Sequence, residues 1–190
     1  MKRLFGTFVS VALLIPGLAV ACSDLLNAEF RPLAGKEKVS LCSQFEGKVL
    51  LVVNTASKCG FTPQYEGLEA LHQRLADRGF SVVGFPSNDF MGQEPASEDQ
   101  IREFCTLTYG VKFPMFEKVT VKKGSAVPFY QQLATASGGE YPGWNFHKYL
   151  IDREGKVVAS FGSRVKPDDA QLVEAIEKAL GSAPAAAGMH

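Results

Sequence analysis

Four cysteines set the chemistry this chain could do: Cys22, Cys42, Cys59 and Cys105. Cys59 is the one placed to react. It follows Ser57-Lys58, precedes Gly60, and lies between the apolar run 48–54 and Thr62-Pro63. The run reads as a strand buried on both faces, and Thr62 with Pro63 as the N-cap and first turn of a helix. In open α/β sheets, chemistry gathers at the carboxyl ends of strands. A helix N-terminus adds free N–H groups and the positive end of its dipole, and both favour an anion. A thiol there is drawn towards thiolate, the nucleophilic form of sulfur. Gly60 beside it allows close backbone approach. No two cysteines have the Cys-x-x-Cys spacing of disulfide oxidoreductases. His72, His147 and His190 have no ligand spacing with one another or with a cysteine, so neither metal nor cofactor is expected. His72 reads as an exposed helix residue.

The elements that would hold Cys59 emerge from periodicity. Residues 63–78 carry Leu68, Leu71 and Leu75 at helical spacing, and Gly79 stops the helix. Residues 81–85 are a second buried strand, so 48–85 forms a strand–helix–strand unit, normally a parallel pair with a right-handed crossover. Ser97 and Gln100 fit a capping box opening a helix to about Tyr109. Residues 113–116 lead into a strand-like stretch, and 127–134 look helical. Segments 149–152 and 156–161 flank a turn as a hairpin, and 168–180 form an amphipathic helix. Before all of these, 28–33 and 38–41 flank Ala34-Gly35-Lys36-Glu37 as a small hairpin. Periodicity supports one α/β domain, a mixed sheet covered by helices. The strand–helix–strand half followed by a hairpin and a closing helix suggests a thioredoxin-like fold.

Composition agrees with one globular domain. The 190 residues are 46% hydrophobic and 21% charged, which excludes whole-chain disorder. Twenty basic residues balance twenty acidic ones, so no basic surplus points to nucleic acid. The first segment reads as an address. Lys2-Arg3 precede an apolar stretch ending in Ala19-Val20-Ala21, a small-x-small cleavage signature. The expected division is a signal peptide at 1–21, a domain at 22–182 and a frayed tail at 183–190. The protein is therefore expected to be exported, into a periplasm-like compartment where disulfides persist. Cys22 directly follows the cut. It is either free for lipoprotein anchoring or paired with Cys42 in a structural disulfide. That bond would close about 20 residues and contribute ~3 kcal/mol on the chain-entropy model.

Three segments carry a family resemblance. Asn54-Thr55-Ala56-Ser57-Lys58-Cys59-Gly60-Phe61-Thr62, residues 85–95 from Phe85-Pro86 to Glu94-Pro95, and Trp144-Asn145-Phe146-His147-Lys148-Tyr149-Leu150 resemble, in order, the motifs of the cysteine-type glutathione peroxidase family. The likeness runs from about Leu25 to Leu180. It implies a thioredoxin-like fold with an N-terminal hairpin, and thiol-dependent reduction of hydrogen peroxide and organic hydroperoxides. The family's catalytic tetrad falls on Cys59, Gln93, Trp144 and Asn145. Three neutral N–H donors aimed at sulfur would stabilise thiolate and orient a peroxide. The thiolate would attack the O–O bond and become a sulfenic acid.

The resemblance also implies how the sulfenic acid is consumed. Cys105, 46 residues after Cys59, takes the place of a resolving cysteine in members reduced by thioredoxin. A thioredoxin-like protein or glutathione would be the reductant. The short segment 122–143 lacks the interface loop of tetrameric relatives. This implies a monomer with an open site, able to admit membrane lipid hydroperoxides. Two departures stand out. Ser87 replaces a frequent Cys, and Asp89 replaces a frequent Gln; Asp89 is expected to face solvent. A sensor that passes its oxidation to a partner would use the same Cys59, and only turnover separates the two readings.

Overall fold

The computed structural model describes residues 22–181. The expected signal segment and the tail lie outside the described residues. A 3₁₀ turn at Asp24–Leu26 leads into a two-stranded antiparallel hairpin, β1 (Glu29–Phe30) and β2 (Val39–Ser40). The short helix α1 (Leu41–Phe45) comes next, with the Ser40 side chain accepting the Ser43 N–H. The central sheet holds β3 (Val49–Thr55), β4 (Phe80–Pro86), β5 (Lys148–Ile151) and β6 (Val157–Phe161) in the order β4-β3-β5-β6. The β3–β4 pair is parallel; β3–β5 and β5–β6 are antiparallel.

Strand alternation divides the interior into two cores. Val49, Leu51 and Val53 of β3 face one core with Leu68, Ile101 and Ile176. These come from α2 (Gln64–Leu75), α3 (Glu98–Tyr109) and α5 (Ala170–Leu180). Leu50 and Val52 face the other, with Phe45, Phe116 and Leu133, the last from α4 (Pro128–Ala136). Every residue of β3 and β4 is buried, as their unbroken apolar runs require. The expected boundaries hold closely. The Ser97–Gln100 capping box opens α3, and Gly110, at φ 61°, closes it. Gly79, at φ 79°, ends the 3₁₀ extension of α2.

The strand-like 113–116 segment makes only isolated bridges, Gly84 with Met115 and Pro32 with Phe116. Pro114 has no N–H to give a ladder.

The topology brings the three motifs together. β3 and β4 are parallel, with Thr55 opposite Pro86, so the loops after both leave the same end of the sheet. β5 runs the other way, with Lys148 opposite Val53, so the chain entering it at Trp144-Asn145-Phe146 arrives at that end too.

Candidate active site

Cys59 sits half-buried at the start of a tight turn. Successive i→i+3 bonds wind this turn into α2: Thr62 N–H to Cys59 C=O at 3.0 Å, Gln64 N–H to Phe61 C=O at 2.9 Å, and Tyr65 N–H to Thr62 C=O at 3.1 Å. Thr62 does not cap the helix, as the sequence suggested; α2 begins at Gln64 without a side-chain cap. Its hydroxyl is used inside the loop instead. Oγ1 accepts the Cys59 N–H at 3.0 Å and donates to the Ala56 carbonyl at 2.9 Å. Among the described residues, the one hydrogen bond to Cys59 Sγ comes from the Phe61 N–H, at 3.4 Å. One amide of the entering turn thus points at sulfur.

The second and third motifs close around this turn. Lys58 N–H donates to the Gln93 carbonyl at 3.0 Å, tying the Cys59 loop to the loop after β4. Asn145 Nδ2 donates to Gln93 Oε1 at 2.9 Å. That bond occupies the Gln93 carbonyl and leaves its NH₂ free to donate elsewhere. Asn54, at the end of β3, holds the third motif from both sides: its carbonyl accepts the Phe146 N–H at 2.6 Å, and its Nδ2 donates to the Trp144 carbonyl at 3.1 Å. Trp144 stays half-buried against Phe90, with ring centroids 5.5 Å apart. Beside it, a crevice of about 620 Å³ is lined by Phe61, Trp144, His147, Arg164 and Val165. Gln93, Trp144 and Asn145 are therefore gathered at the Cys59 end of the sheet.

Residues 25–134 match the family model described as glutathione peroxidase. The chain belongs to the glutathione peroxidase family. It is 53% identical over 145 residues to the hydroperoxy fatty acid reductase gpx1 of Synechocystis sp., covering 72% of this chain and 85% of that one. It is 43% identical over 166 residues to the thioredoxin/glutathione peroxidase BtuE of Escherichia coli, covering 75% and 91%. Among solved structures, a thioredoxin family thiol:disulfide interchange protein from Chlorobium tepidum TLS aligns with TM-score 0.59 at 19% identity, covering 81% and 93%. This establishes the thioredoxin-like fold.

Two free cysteines remain in this glutathione peroxidase domain, Cys59 and Cys105. Cys105 is on α3, only 2% exposed, in the same core that Cys59 packs against. Burial pushes its thiol up to about 11. Cys22 and Cys42 form a disulfide, with Cα atoms 5.9 Å apart.

Two expectations need correction. Asp89 does not simply face solvent: it is half-buried, and its Oδ2 accepts the N–H groups of Val121 and Lys122 at 2.6 and 3.0 Å. Its carboxylate pins that loop behind Phe90. His72 is half-buried rather than exposed. Its Nδ1 accepts the Val82 N–H at 3.4 Å, and burial lowers its proton affinity.

Sequence reasoning missed three buried charges, the first being Glu69, whose Oε2 accepts the N–H groups of Lys112 and Phe113 at 2.8 and 3.1 Å. Glu94 reads as loop polarity beside Pro95, yet it is fully buried, with Ser57 Oγ donating to its Oε2 at 2.9 Å. Burial raises its proton affinity. Lys148 is also fully buried and donates to the Phe146 carbonyl at 2.7 Å. Burial lowers it to about 7. A lysine inside the otherwise apolar start of a buried strand was the available signal.

Proposed function

We propose that Cys59 is the peroxidatic residue of this thiol-dependent peroxidase, and that Gln93, Trp144 and Asn145 tune it. The observation that carries the reading is their assembly from three separate loops at one sheet end, round a cysteine whose sulfur accepts the Phe61 N–H of an entering turn. The Cys59 thiolate attacks one peroxide oxygen, and the O–O bond breaks. Sulfur is oxidised to sulfenic acid, and the other oxygen leaves with a proton as water or alcohol. In this reading the Gln93 amide and the Trp144 indole N–H stabilise the anionic sulfur and the departing oxygen. Neither bonds sulfur in the resting site, and such bonds commonly tighten only in the reacting complex.

Cys105 then resolves the sulfenic acid as an intramolecular disulfide, and a dithiol donor reduces it. The open, largely apolar crevice beside Trp144 supports organic and lipid hydroperoxides as substrates, in line with the Synechocystis relative's name. The name of the Escherichia coli relative supports a thioredoxin-like donor or glutathione. We read the protein as an exported, periplasmic monomer. The Cys22–Cys42 bond supports simple export over lipid anchoring, because it leaves no Cys22 sulfur to acylate.

The test monitors peroxide consumption by residues 22–190 with thioredoxin and with glutathione, beside Cys59→Ser and Cys105→Ser. Thioredoxin-driven turnover lost in both variants is expected. Turnover that survives Cys59→Ser would overturn the assignment. A single oxidation without cycling, with either donor, would favour the sensor.

A further inference from the structure

Phe146, two residues beyond Trp144, has a φ of 63°. A bulky side chain in the left-handed region is a genuine outlier, and such strain persists only where the surroundings impose it. Both polar groups of this residue are gripped. Its N–H donates to the Asn54 carbonyl at 2.6 Å, and its carbonyl accepts from Lys148 Nζ at 2.7 Å. Its ring is buried edge-on against Tyr65, with centroids 5.3 Å apart. Phe146 is the joint between Trp144-Asn145 and β5, so its backbone sets the direction in which those two residues leave the sheet.

Lys148 is costly where it stands. It is fully buried on β5, in register with Val53 of β3 and Phe161 of β6. Lysine is almost never fully buried unless paired. Among the described residues Lys148 forms no salt bridge. Asp169, at the N-cap of α5, favours its charge from beyond ion-pair distance, and burial works against that charge. Its ammonium has the Phe146 carbonyl as hydrogen-bond partner. An apolar side chain would fill the same space without the desolvation.

We propose that Lys148 is a positioning residue of the peroxidase site: by holding the Phe146 carbonyl it locks the left-handed turn that aims Asn145 at Gln93 and seats Trp144 against Phe90. The inference rests on Trp144 and Asn145 tuning Cys59. The contacts from Lys148 to the cysteine loop are continuous. Asn54 accepts the Phe146 N–H and donates to the Trp144 carbonyl at 3.1 Å. Asn145 Nδ2 donates to Gln93 Oε1 at 2.9 Å, and the Gln93 carbonyl accepts the N–H of Lys58, the neighbour of Cys59. Asn54 grips this segment from β3 and leaves the carbonyl side of Phe146 to Lys148. Without the ammonium that carbonyl loses its partner, and the backbone can relax out of the left-handed region. Trp144 and Asn145 then turn with it.

The experiment uses Lys148→Met, which keeps the length and removes the donor, and Lys148→Leu. Trp144 is the single tryptophan of the chain, so its emission and its quenching by acrylamide report this segment directly. Urea unfolding measures stability, and stopped-flow measures Cys59 oxidation by hydrogen peroxide. Both variants are expected to lose no stability, because apolar replacement of a buried charge is often neutral or stabilising and relief of strain at Phe146 offsets the unpaired carbonyl. Both are expected to oxidise at least about tenfold more slowly, with altered Trp144 emission. Oxidation within about twofold of the parent overturns the proposal. So does slow oxidation with unchanged emission, or loss of folding in both variants, since Lys148 would then serve the core alone. Trp144→Phe and Asn145→Ala test the reading beneath it: if both oxidise at the parent's rate, the tuning of Cys59 by these residues fails instead.

Discussion

Thr62 offers a direct test of how the fold holds Cys59, the proposed nucleophile. Thr62 is 4% exposed, and its hydroxyl bridges Cys59 N–H to Ala56 C=O. Thr62→Val keeps the shape and removes both bonds. The Ala56 residue is fully buried, so its carbonyl has no water to turn to. Leaving such a group unpaired costs about 1–3 kcal/mol. The Cys59 N–H loses its acceptor at ~0.5–1.5 kcal/mol. Together the variant should lose about 1.5–4.5 kcal/mol, or roughly 3–18 °C in Tm for a domain of this size. The same bonds fix where Cys59 begins its turn. If about 1.4 kcal/mol of that positioning is felt in the transition state, oxidation of Cys59 slows about tenfold. Thr62→Ser keeps the hydroxyl and should restore the rate while recovering most of the stability. The assays are urea unfolding and stopped-flow oxidation by hydrogen peroxide. A Thr62→Val protein that loses stability but oxidises within about twofold of the parent would refute the positioning argument, since the clamp would then be structural alone.

Three further outcomes can be read from the structure. Replacing both Cys22 and Cys42 by Ala opens a loop of sequence separation 20; it should remove ~3 kcal/mol in chemical denaturation without altering Cys59 oxidation. His147, 6% exposed and bonded through Nε2 to Ser160 Oγ at 2.9 Å, is lowered by burial to about 4. Its folded value lies below the unfolded one, so its stability is present above about pH 6.5 and is lost as pH falls towards about 4. His147→Gln should flatten unfolding midpoints across that window relative to the parent, and parallel curves would contradict this. In α2, a Cβ on Gly67 would meet Pro167 Cβ and Cγ at 2.9 and 3.0 Å. A proline ring cannot swing aside, so overpacking of about 1–3 kcal/mol should outweigh the ~1 kcal/mol that Ala gains in a helix, and thermal melts should show Gly67→Ala less stable.

Legibility tracked the physics of each element. β3 and β4 are plain in the sequence because strands buried on both faces leave unbroken apolar runs, and the α3 start because Ser97 and Gln100 satisfy orphan amides locally. What decides the site is less local. That Trp144-Asn145-Phe146 reaches the Cys59 loop depends on β5 lying antiparallel to β3, and no periodicity within 144–151 specifies its neighbour. The five-residue α1 escapes a sequence reading because it is too short to show a helical period. Thr62 misleads because a threonine before proline at a helix start fits a cap, and only the fold shows that Ala56 and Cys59 lie closer to its hydroxyl. Asp89 looks solvated in the sequence because its partners, the amides of Val121 and Lys122, are more than thirty residues away.

Much of the buried polarity gathers at one end of the sheet, with Glu69 on α2 and Ser81 near the start of β4 lying elsewhere. Asn54, Thr55, Thr62, Ser87, Glu94, Asn145 and Lys148 are all buried, and all lie at or beside the carboxyl end of β3 and β4. Unpartnered atoms lie there too, on Asn54, Thr55, Glu94 and Asn145, while others sit on Gln64 and Tyr65 of α2 and on Tyr130 in the other core. A core filled for stability alone would place leucine and valine at several of these positions, since an unsatisfied buried polar group lowers stability. Apolar replacement of Thr55 is therefore expected to be tolerated or stabilising. The same exchange at Asn54 would release both Trp144 and Phe146. The difference is in what each group holds. Asn54 spends its bonds on the backbone of Trp144 and Phe146, while the Thr55 hydroxyl has no protein partner. A site built this way trades fold stability for fixed donors.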